Sequence, residues 1–192
     1  MKLKPSSLFT IVLLPLVLMG AGPATESSPH PPAIGDKVAD FALNTLDEKT
    51  IRLSDLTKNG PVVLIELRGW VGRQCPICNR QVGEFLSHSK EILATGARVV
   101  LIYPGPTDKL KDHAEDFISG KGLPDGVFFV IDPDMKFVSD WDLRWDAPGE
   151  TAYPSTFVID RQGIVRFSKI SHSHGNRATS GEVLQVLSDE PR

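Results

Sequence analysis

Residues 67–81 read LRGWVGRQCPICNRQ and hold both cysteines of the 192-residue chain, Cys75 and Cys78, spaced C-x-x-C. The run leading into them, PVVLIELR (residues 61–68), is apolar and β-branched, the pattern of a central strand covered on both faces. Beyond them Ile77, Val82, Phe85, Leu86 and Leu93 recur at roughly helical spacing, which predicts a helix from about Pro76 to Ala94, stopped by Gly96. Proline just after Cys75 suits the first turn of that helix. A buried strand therefore hands over to a helix, with Cys75 at its N-terminus.

Working outward, the same alternation continues. RVVLIY (residues 98–103) and GVFFVID (126–132) read as two more buried strands, with a helix over Asp108–Ile118 between them and Phe117 and Ile118 turned inward. MKFVSDWDL (135–143) reads as one short helix. STFVID and IVRFS form a hairpin closed at Gln162-Gly163, and SGEVLQVLSDE (180–190) is a last helix with Ser180 as its cap and Val183, Leu184 and Leu187 on one face. Upstream, DFALNTLDEKTIRLSDL (40–56) gives two short strands around a turn at Asp47–Lys49. Strands alternating with helices predict an α/β fold, a central mixed β-sheet flanked by helices, with an N-terminal β-hairpin extension.

The chemistry rests on the cysteines. A sulfur at a helix N-terminus meets unpaired backbone N–H groups and the positive end of the helix dipole, and both favour thiolate, the nucleophilic form. Arg68, Arg73 and Arg80 lie near in sequence and add positive charge. Cys78, one turn on, is placed to resolve a disulfide formed at Cys75. Two other readings compete. A structural staple over so short a loop would restrict the unfolded chain by only ~2 kcal/mol. A zinc site needs a second ligand pair, and the chain has no other C-x-x-C. Redox chemistry ranks first.

Composition is that of an ordinary globular protein. The chain is 41% hydrophobic and 23% charged, with a net charge of −3 and no Lys/Arg run, which argues against a nucleic-acid partner. Residues 1–24, MKLKPSSLFTIVLLPLVLMGAGPA, have a positive start, a short apolar centre and a small-residue exit, the plan of a secretory signal peptide. The alternative is an uncleaved membrane anchor over residues 8–19, a run short for a spanning helix and interrupted by Pro15. The expected location is periplasmic or secreted, where disulfides form. Residues 25–33, beginning TESSPHPP, read as a flexible lead-in, and residues 34–192 as the domain.

Three segments in this order, IGDKVADFALNTLDEKTIRLSDL, the C-x-x-C after a buried strand, and YPSTFVIDRQG, resemble the thioredoxin-like redoxins. That family includes periplasmic or membrane-anchored thiol–disulfide oxidoreductases and the alkyl hydroperoxide reductase/thiol-specific antioxidant group. The resemblance spans nearly all of Ile34 to Leu187. It implies a thioredoxin-like fold with Cys75 attacking, Cys78 resolving, and Pro154 as a cis-proline facing them beside Tyr153. It also matches Glu66 to a buried acid beneath the cysteines, where a raised pKa would suit it to shuttle the proton of Cys78.

The departures matter as much. Peroxiredoxins carry a proline seven residues and a threonine or serine three residues before their reactive cysteine, where this chain has Arg68 and Gly72, and usually an arginine where it has Pro154. Thioredoxins carry a tryptophan where it has Gln74. The hairpin supplies one more expectation: antiparallel pairing returns Ser171 and His172 to the side of Pro154, so that SHSHGNR (171–177) borders the cysteines. His172, His174 and Arg177 are then placed to stabilise a thiolate or orient a substrate, with Trp70 flanking the site.

The expected activity is exported thiol–disulfide exchange on protein thiols and disulfides, with an unidentified partner that re-reduces the pair and no cofactor. A thiol peroxidase acting on hydroperoxide is the alternative. A copper carrier using two thiolates and a histidine is a third reading, weakened by the C-x-x-C spacing and by the place of the H-x-H. No resident metal is expected.

Overall fold

The computed structural model describes residues 30–189 and Met1. The signal-peptide and anchor readings therefore lie outside the described residues, as does most of the lead-in. Among the described residues no helix is long and apolar enough to cross a membrane.

Seven strands form one mixed sheet in the order β2-β1-β5-β4-β3-β6-β7. Its centre is β3 (Val62–Glu66), β4 (Arg98–Gly105) and β5 (Val127–Pro133), parallel to one another, as crossover helices require. The hairpin β1 (Ala42–Thr45) and β2 (Thr50–Arg52) adds antiparallel to β5, and β6 (Ser155–Ile159) and β7 (Val165–Ile170) add antiparallel to β3. The predicted α/β architecture with a hairpin extension is the observed one.

Period-two alternation divides the core. On β3, Val63 and Ile65, with Leu67 beyond the strand, face one apolar cluster with Cys75, Cys78, Val82, Phe85 and Tyr103. Val62 and Leu64 face the other, with Phe137, Trp141, Leu143 and Phe157. Helices α2 (Pro76–Ser87), α3 (Ser89–Ala94), α4 (Leu110–Ile118) and α6 (Ser180–Asp189) cover the first face; α1 (Leu53–Thr57) and α5 (Lys136–Asp140) lie against the second.

Three local expectations are corrected. The helix predicted over Pro76–Ala94 breaks at His88, whose backbone (φ −106°, ψ 11°) leaves the helical region. Ser87 Oγ donates to the Glu84 carbonyl and Ser89 Oγ to that of Leu86, side-chain bonds that compete with the helical ladder. The cap of α6 is Thr179 rather than Ser180: Thr179 Oγ1 accepts from the Glu182 N–H while Glu182 Oε2 accepts from the Thr179 N–H, a reciprocal capping box. Ser180 instead donates its N–H and hydroxyl to Glu84 on α2, tying the two helices together. Finally, no peptide bond among the described residues is cis, so Pro154 follows Tyr153 in trans. Trans is the intrinsically favoured isomer of an X–Pro bond, and the backbone on both sides is satisfied that way: the Tyr153 N–H reaches the Leu143 carbonyl at 2.8 Å, and the Pro154 carbonyl accepts from the Ser171 N–H at 2.9 Å.

Candidate active site

Both cysteines sit at the junction of β3 and α2. The chain between them is folded tightly against its neighbours: Gly69 takes φ +67° and lies so close to β4 that an added Cβ would overlap the Pro104 carbonyl oxygen, while the Trp70 N–H donates to that same oxygen at 2.9 Å. Gln74 fixes the far end, its amide donating to the His113 carbonyl at 2.7 Å and accepting from the Tyr103 hydroxyl at 2.8 Å. Trp70 stacks on the His113 ring with centroids 3.5 Å apart. The loop thus holds Cys75 at the N-cap position of α2.

There the Cys75 sulfur accepts from the Cys78 backbone N–H at 3.2 Å. Both cysteines are free thiols, Cys78 fully buried and Cys75 only 3% exposed. Hydrogen bonding from Cys78, side chain and backbone, outweighs burial at Cys75, and with the positive charges of Arg177 and Arg68 it brings the thiol down to about 5. Burial pushes the Cys78 thiol the other way, well above its ordinary value, and hydrogen bonding to Cys75 adds to the rise. The two sulfurs are therefore electronically unequal, the first a thiolate at neutral pH and the second a protonated thiol.

Arg177 reaches both. Its Nη1 donates to Cys78 Sγ at 3.3 Å and to Gln81 Oε1 at 3.0 Å, its Nη2 lies 3.9 Å from Cys75 Sγ, and its Nε donates to the His174 carbonyl at 3.0 Å. The hairpin brings it there as the register predicts, Ser155 opposite Ile170 and Ser171 bonded to Pro154. Within the loop, Ser171 Oγ donates to the carbonyls of Ser173 (2.9 Å) and Gly175.

Arg68 approaches from the other side. Its guanidinium, 6% exposed, pairs with Glu150 through Nε and, at 2.9 Å, through Nη2, which also donates to the Gly149 carbonyl at 2.8 Å. His174 Nε2 shares Glu150 Oε1 at 2.9 Å. Against the rise that burial would cause, these bonds from Arg68 and His174 hold the Glu150 carboxyl below the usual carboxylate range. Trp145 stacks on Tyr153 at 5.0 Å and tilts against His174 at 5.2 Å, and Tyr153 meets His172 edge-on at 4.8 Å, an aromatic rim beside the loop.

Two expected members are elsewhere. Glu66 follows the alternation of Val62 and Leu64, so it points to the face of the sheet away from the cysteines. Burial, and then the nearby Asp132 carboxylate, push its carboxyl well above its ordinary value; both its oxygens are buried without a hydrogen-bond partner among the described residues. Asp132 itself accepts from the Phe137 and Val138 N–H groups at the start of α5. Arg73 is exposed, with no hydrogen bond or ion pair among the described residues. His172 and His174 contact Tyr153, Trp145 and Glu150 rather than the sulfurs, and among the described residues no group of three or more His, Cys, Asp or Glu side chains is arranged to hold a metal.

Five residues at the site had not been singled out for it: Gln74, Gln81, Tyr103, Trp145 and Glu150. Gln81 carried a local signal, lying three residues after Cys78 on the same helix face. Glu150 carried none, because its partner Arg68 is 82 positions away.

A sequence model of the AhpC/TSA family matches residues 34–168. Over 185 residues the chain is 28% identical to the thiol:disulfide interchange protein DsbE of Xylella fastidiosa strain Temecula1, covering 95% of this chain and 82% of that protein. Among solved structures, the peroxidoxin BcpB of Mycobacterium tuberculosis superposes with a TM-score of 0.65 at 24% identity, over 84% of this chain and 99% of that one. A yeast mitochondrial 1-Cys peroxiredoxin does so with a TM-score of 0.64 at 18% identity, over 81% and 75% of the two chains. These structures share the fold.

Proposed function

The chain belongs to the AhpC/TSA family, and within it we propose an exported thiol–disulfide oxidoreductase working through the Cys75/Cys78 pair. The observation that carries the reading is the inequality of the two sulfurs. A thiolate at Cys75 is the attacking form, and a protonated Cys78 one helical turn away is kept in reserve. Cys75 attacks one sulfur of a substrate disulfide; a Cys75–substrate mixed disulfide forms and the other substrate sulfur leaves as a thiol. Cys78 then attacks Cys75, closes the internal disulfide and releases the second substrate thiol, so the substrate gains two electrons from the pair, with one proton from Cys78 and one from water, because Cys75 starts as the thiolate. A reducing partner returns the pair to the dithiol. Arg177 and Arg68 stabilise the starting thiolate, and the aromatic rim of Tyr153, His172 and Trp145 borders the approach. Pro154, buried and trans, contributes its carbonyl to anchor Ser171. The signal-peptide plan read in the sequence of residues 1–24 and the likeness to a thiol:disulfide interchange protein support an exported location.

One observation favours a second reading. Cys75 is so nearly enclosed that a hydroperoxide reaches it more readily than a folded protein does. In that case the thiolate takes the distal peroxide oxygen, the other oxygen leaves as water or alcohol, and Cys78 condenses with the resulting sulfenic acid, releasing water and forming the same disulfide.

Stopped-flow oxidation of the reduced protein, followed by tryptophan fluorescence, separates the two. Fast reaction with a peptide disulfide and slow reaction with hydrogen peroxide supports exchange. Fast peroxide reaction that persists in Cys78→Ser overturns it in favour of the peroxidase.

A further inference from the structure

The second step of the proposed cycle needs Cys78 as a nucleophile, yet Cys78 is the less acidic sulfur, fully buried in the apolar cluster of α2. The acid expected to take its proton, Glu66, lies across the sheet. No carboxylate or histidine among the described residues hydrogen-bonds to either sulfur; the groups facing Cys78 are Cys75, Arg177, the backbone of Arg68 and the Tyr103 phenol, which burial keeps protonated.

We propose that Arg177 is the catalytic group for both steps, following the negative charge from Cys75 to Cys78, and that Gln81 is the positioning residue that keeps it at the second sulfur. The inference rests on the exchange reading above. The donor inventory of the guanidinium supports it. Nη1 has two hydrogens, one directed at Cys78 Sγ (3.3 Å) and one at Gln81 Oε1 (3.0 Å); Nη2 is at Cys75 Sγ (3.9 Å), and Nε is occupied by the His174 carbonyl. Gln81 is buried and one turn beyond Cys78 on α2, so its oxygen holds Nη1 from the same rigid element that carries the sulfur.

In the dithiol, the guanidinium shares itself between a Cys75 thiolate and a Cys78 thiol. Once Cys75 is capped as a mixed disulfide its charge is gone, and the positive charge acts on Cys78 alone, without any movement of the side chain. Beside the guanidinium Cys78 gives up its proton to water and attacks as the thiolate. The Cys75–Cys78 bond forms as the Cys75–substrate bond breaks, and the substrate sulfur leaves as a thiolate that takes a proton back from water, so the step balances with no side-chain base.

Dithiobisnitrobenzoate tests this, because each step releases one coloured thionitrobenzoate. With reduced full-length protein the first release reports attack by Cys75 and the second reports closure by Cys78. A neighbouring cation moves a pKa by roughly one to three units, and about half of that gain is offset by lower nucleophilicity. Arg177→Met is therefore expected to slow the second release by roughly 3- to 30-fold, and by a larger factor than it slows the first. Gln81→Leu lowers the ratio of second to first rate in the same direction and shifts the pH profile of the second release upward, which loss of packing alone would not do. Arg177→Lys, returning a point charge, restores part of the second rate. A second release unchanged in Arg177→Met and Gln81→Leu, or slowed no more than the first, overturns the proposal. A wild-type protein whose first release is no faster than that of an unstructured thiol breaks the exchange reading instead, a result visible before any variant is compared.

Discussion

Replacing Glu150 by alanine tests the electrostatics of the site from its outer side. The variant leaves Arg68, 6% exposed, facing a gap where a doubly bonded carboxylate had been. Removing one partner of a buried pair costs about 3–5 kcal/mol, because the other charge stays desolvated. Here the Gly149 carbonyl remains on Nη2 at 2.8 Å and Glu150 lies at the edge of the fold, where water can enter, so the lower end applies, about 3 kcal/mol. For a domain of this size each kcal/mol moves Tm by roughly 2–4 °C, giving a fall of about 6–12 °C. The same change should act oppositely on the thiol. Glu150 partly cancels the charge of Arg68 near Cys75, and without it the thiolate is stabilised further, so Cys75 titrates below its wild-type value of about 5. Thermal unfolding by circular dichroism and thiolate absorbance against pH read the two effects on one sample. Glu150→Gln, which keeps an acceptor, should lose less stability, and His174→Ala isolates any contribution through the 171–177 loop. The folded carboxyl of Glu150 is held low, so the wild-type advantage over Glu150→Gln is present above about pH 4.3, the unfolded value, and is lost as pH falls through the lower folded one. A stability loss under about 1 kcal/mol, or a thiol that titrates higher in Glu150→Ala, refutes the reasoning.

Four further expectations follow from the same geometry. The Cys75 thiolate should be half formed near pH 5; because its folded value is depressed from about 8.5, the reduced protein should gain stability between those two pH values relative to Cys75→Ala, and lose that gain as pH falls through 5. Equilibration with a thiol–disulfide buffer should place the pair at a more oxidising potential than the roughly −270 mV of thioredoxin; a more reducing value would contradict the stabilised thiolate. Glu66→Leu should stabilise the protein by about 1–3 kcal/mol, since both carboxyl oxygens are buried without partners. The folded Glu66 value is raised, so wild type should lose stability as pH rises above about 4.3 while the leucine variant does not, and equal urea midpoints at neutral pH would count against this. Gly69→Ala should destabilise by about 2 kcal/mol or more and slow Cys75 alkylation, because the new Cβ meets Pro104 at a backbone angle alanine resists; unchanged alkylation would show that the loop does not set the position of the sulfur.

What could be read in the sequence was what is local. The β-branched run at residues 61–68, the C-x-x-C and Pro76 sit together in the chain, and they suffice to place a sulfur at a helix N-terminus after a central strand. The hairpin register extended that reach by one step, carrying Arg177 to the cysteines from about 100 positions away. Glu66 shows where the reasoning ran short: a strand alternates its faces every residue, and a shift of one position moves a carboxylate from under the sulfurs to the opposite side of the sheet. The period was legible but its phase relative to α2 was not, because the phase is fixed by packing of Val63, Ile65 and Leu67 against that helix. The Arg68–Glu150 pair was illegible for a related reason, as it is decided by contact between distant segments, whereas the trans bond at Pro154 is the one local preference favours, the cis expectation having come from the resemblance alone.

The displacement of the acid changes the logic of the pair. With a buried carboxylate under the cysteines, the dithiol would be exposed to a negative neighbour and a base would be at hand for Cys78. Instead the cysteine side of the sheet presents guanidinium groups, one reaching each sulfur from the 171–177 loop and one held near Cys75 by Glu150. Positive charge stabilises a state with a thiolate and does nothing for a disulfide, which carries no charge, so every contribution of Arg68 and Arg177 falls on the reduced side of the equilibrium. A pair whose reduced form is favoured is a weaker electron donor, so reduction of a substrate is driven by the partner that keeps the pair in the dithiol form. Arginine at the sulfurs thus speeds attack by Cys75 on a substrate while making the closed disulfide easier for a partner to reopen, and the return half of the cycle needs only a modest reductant.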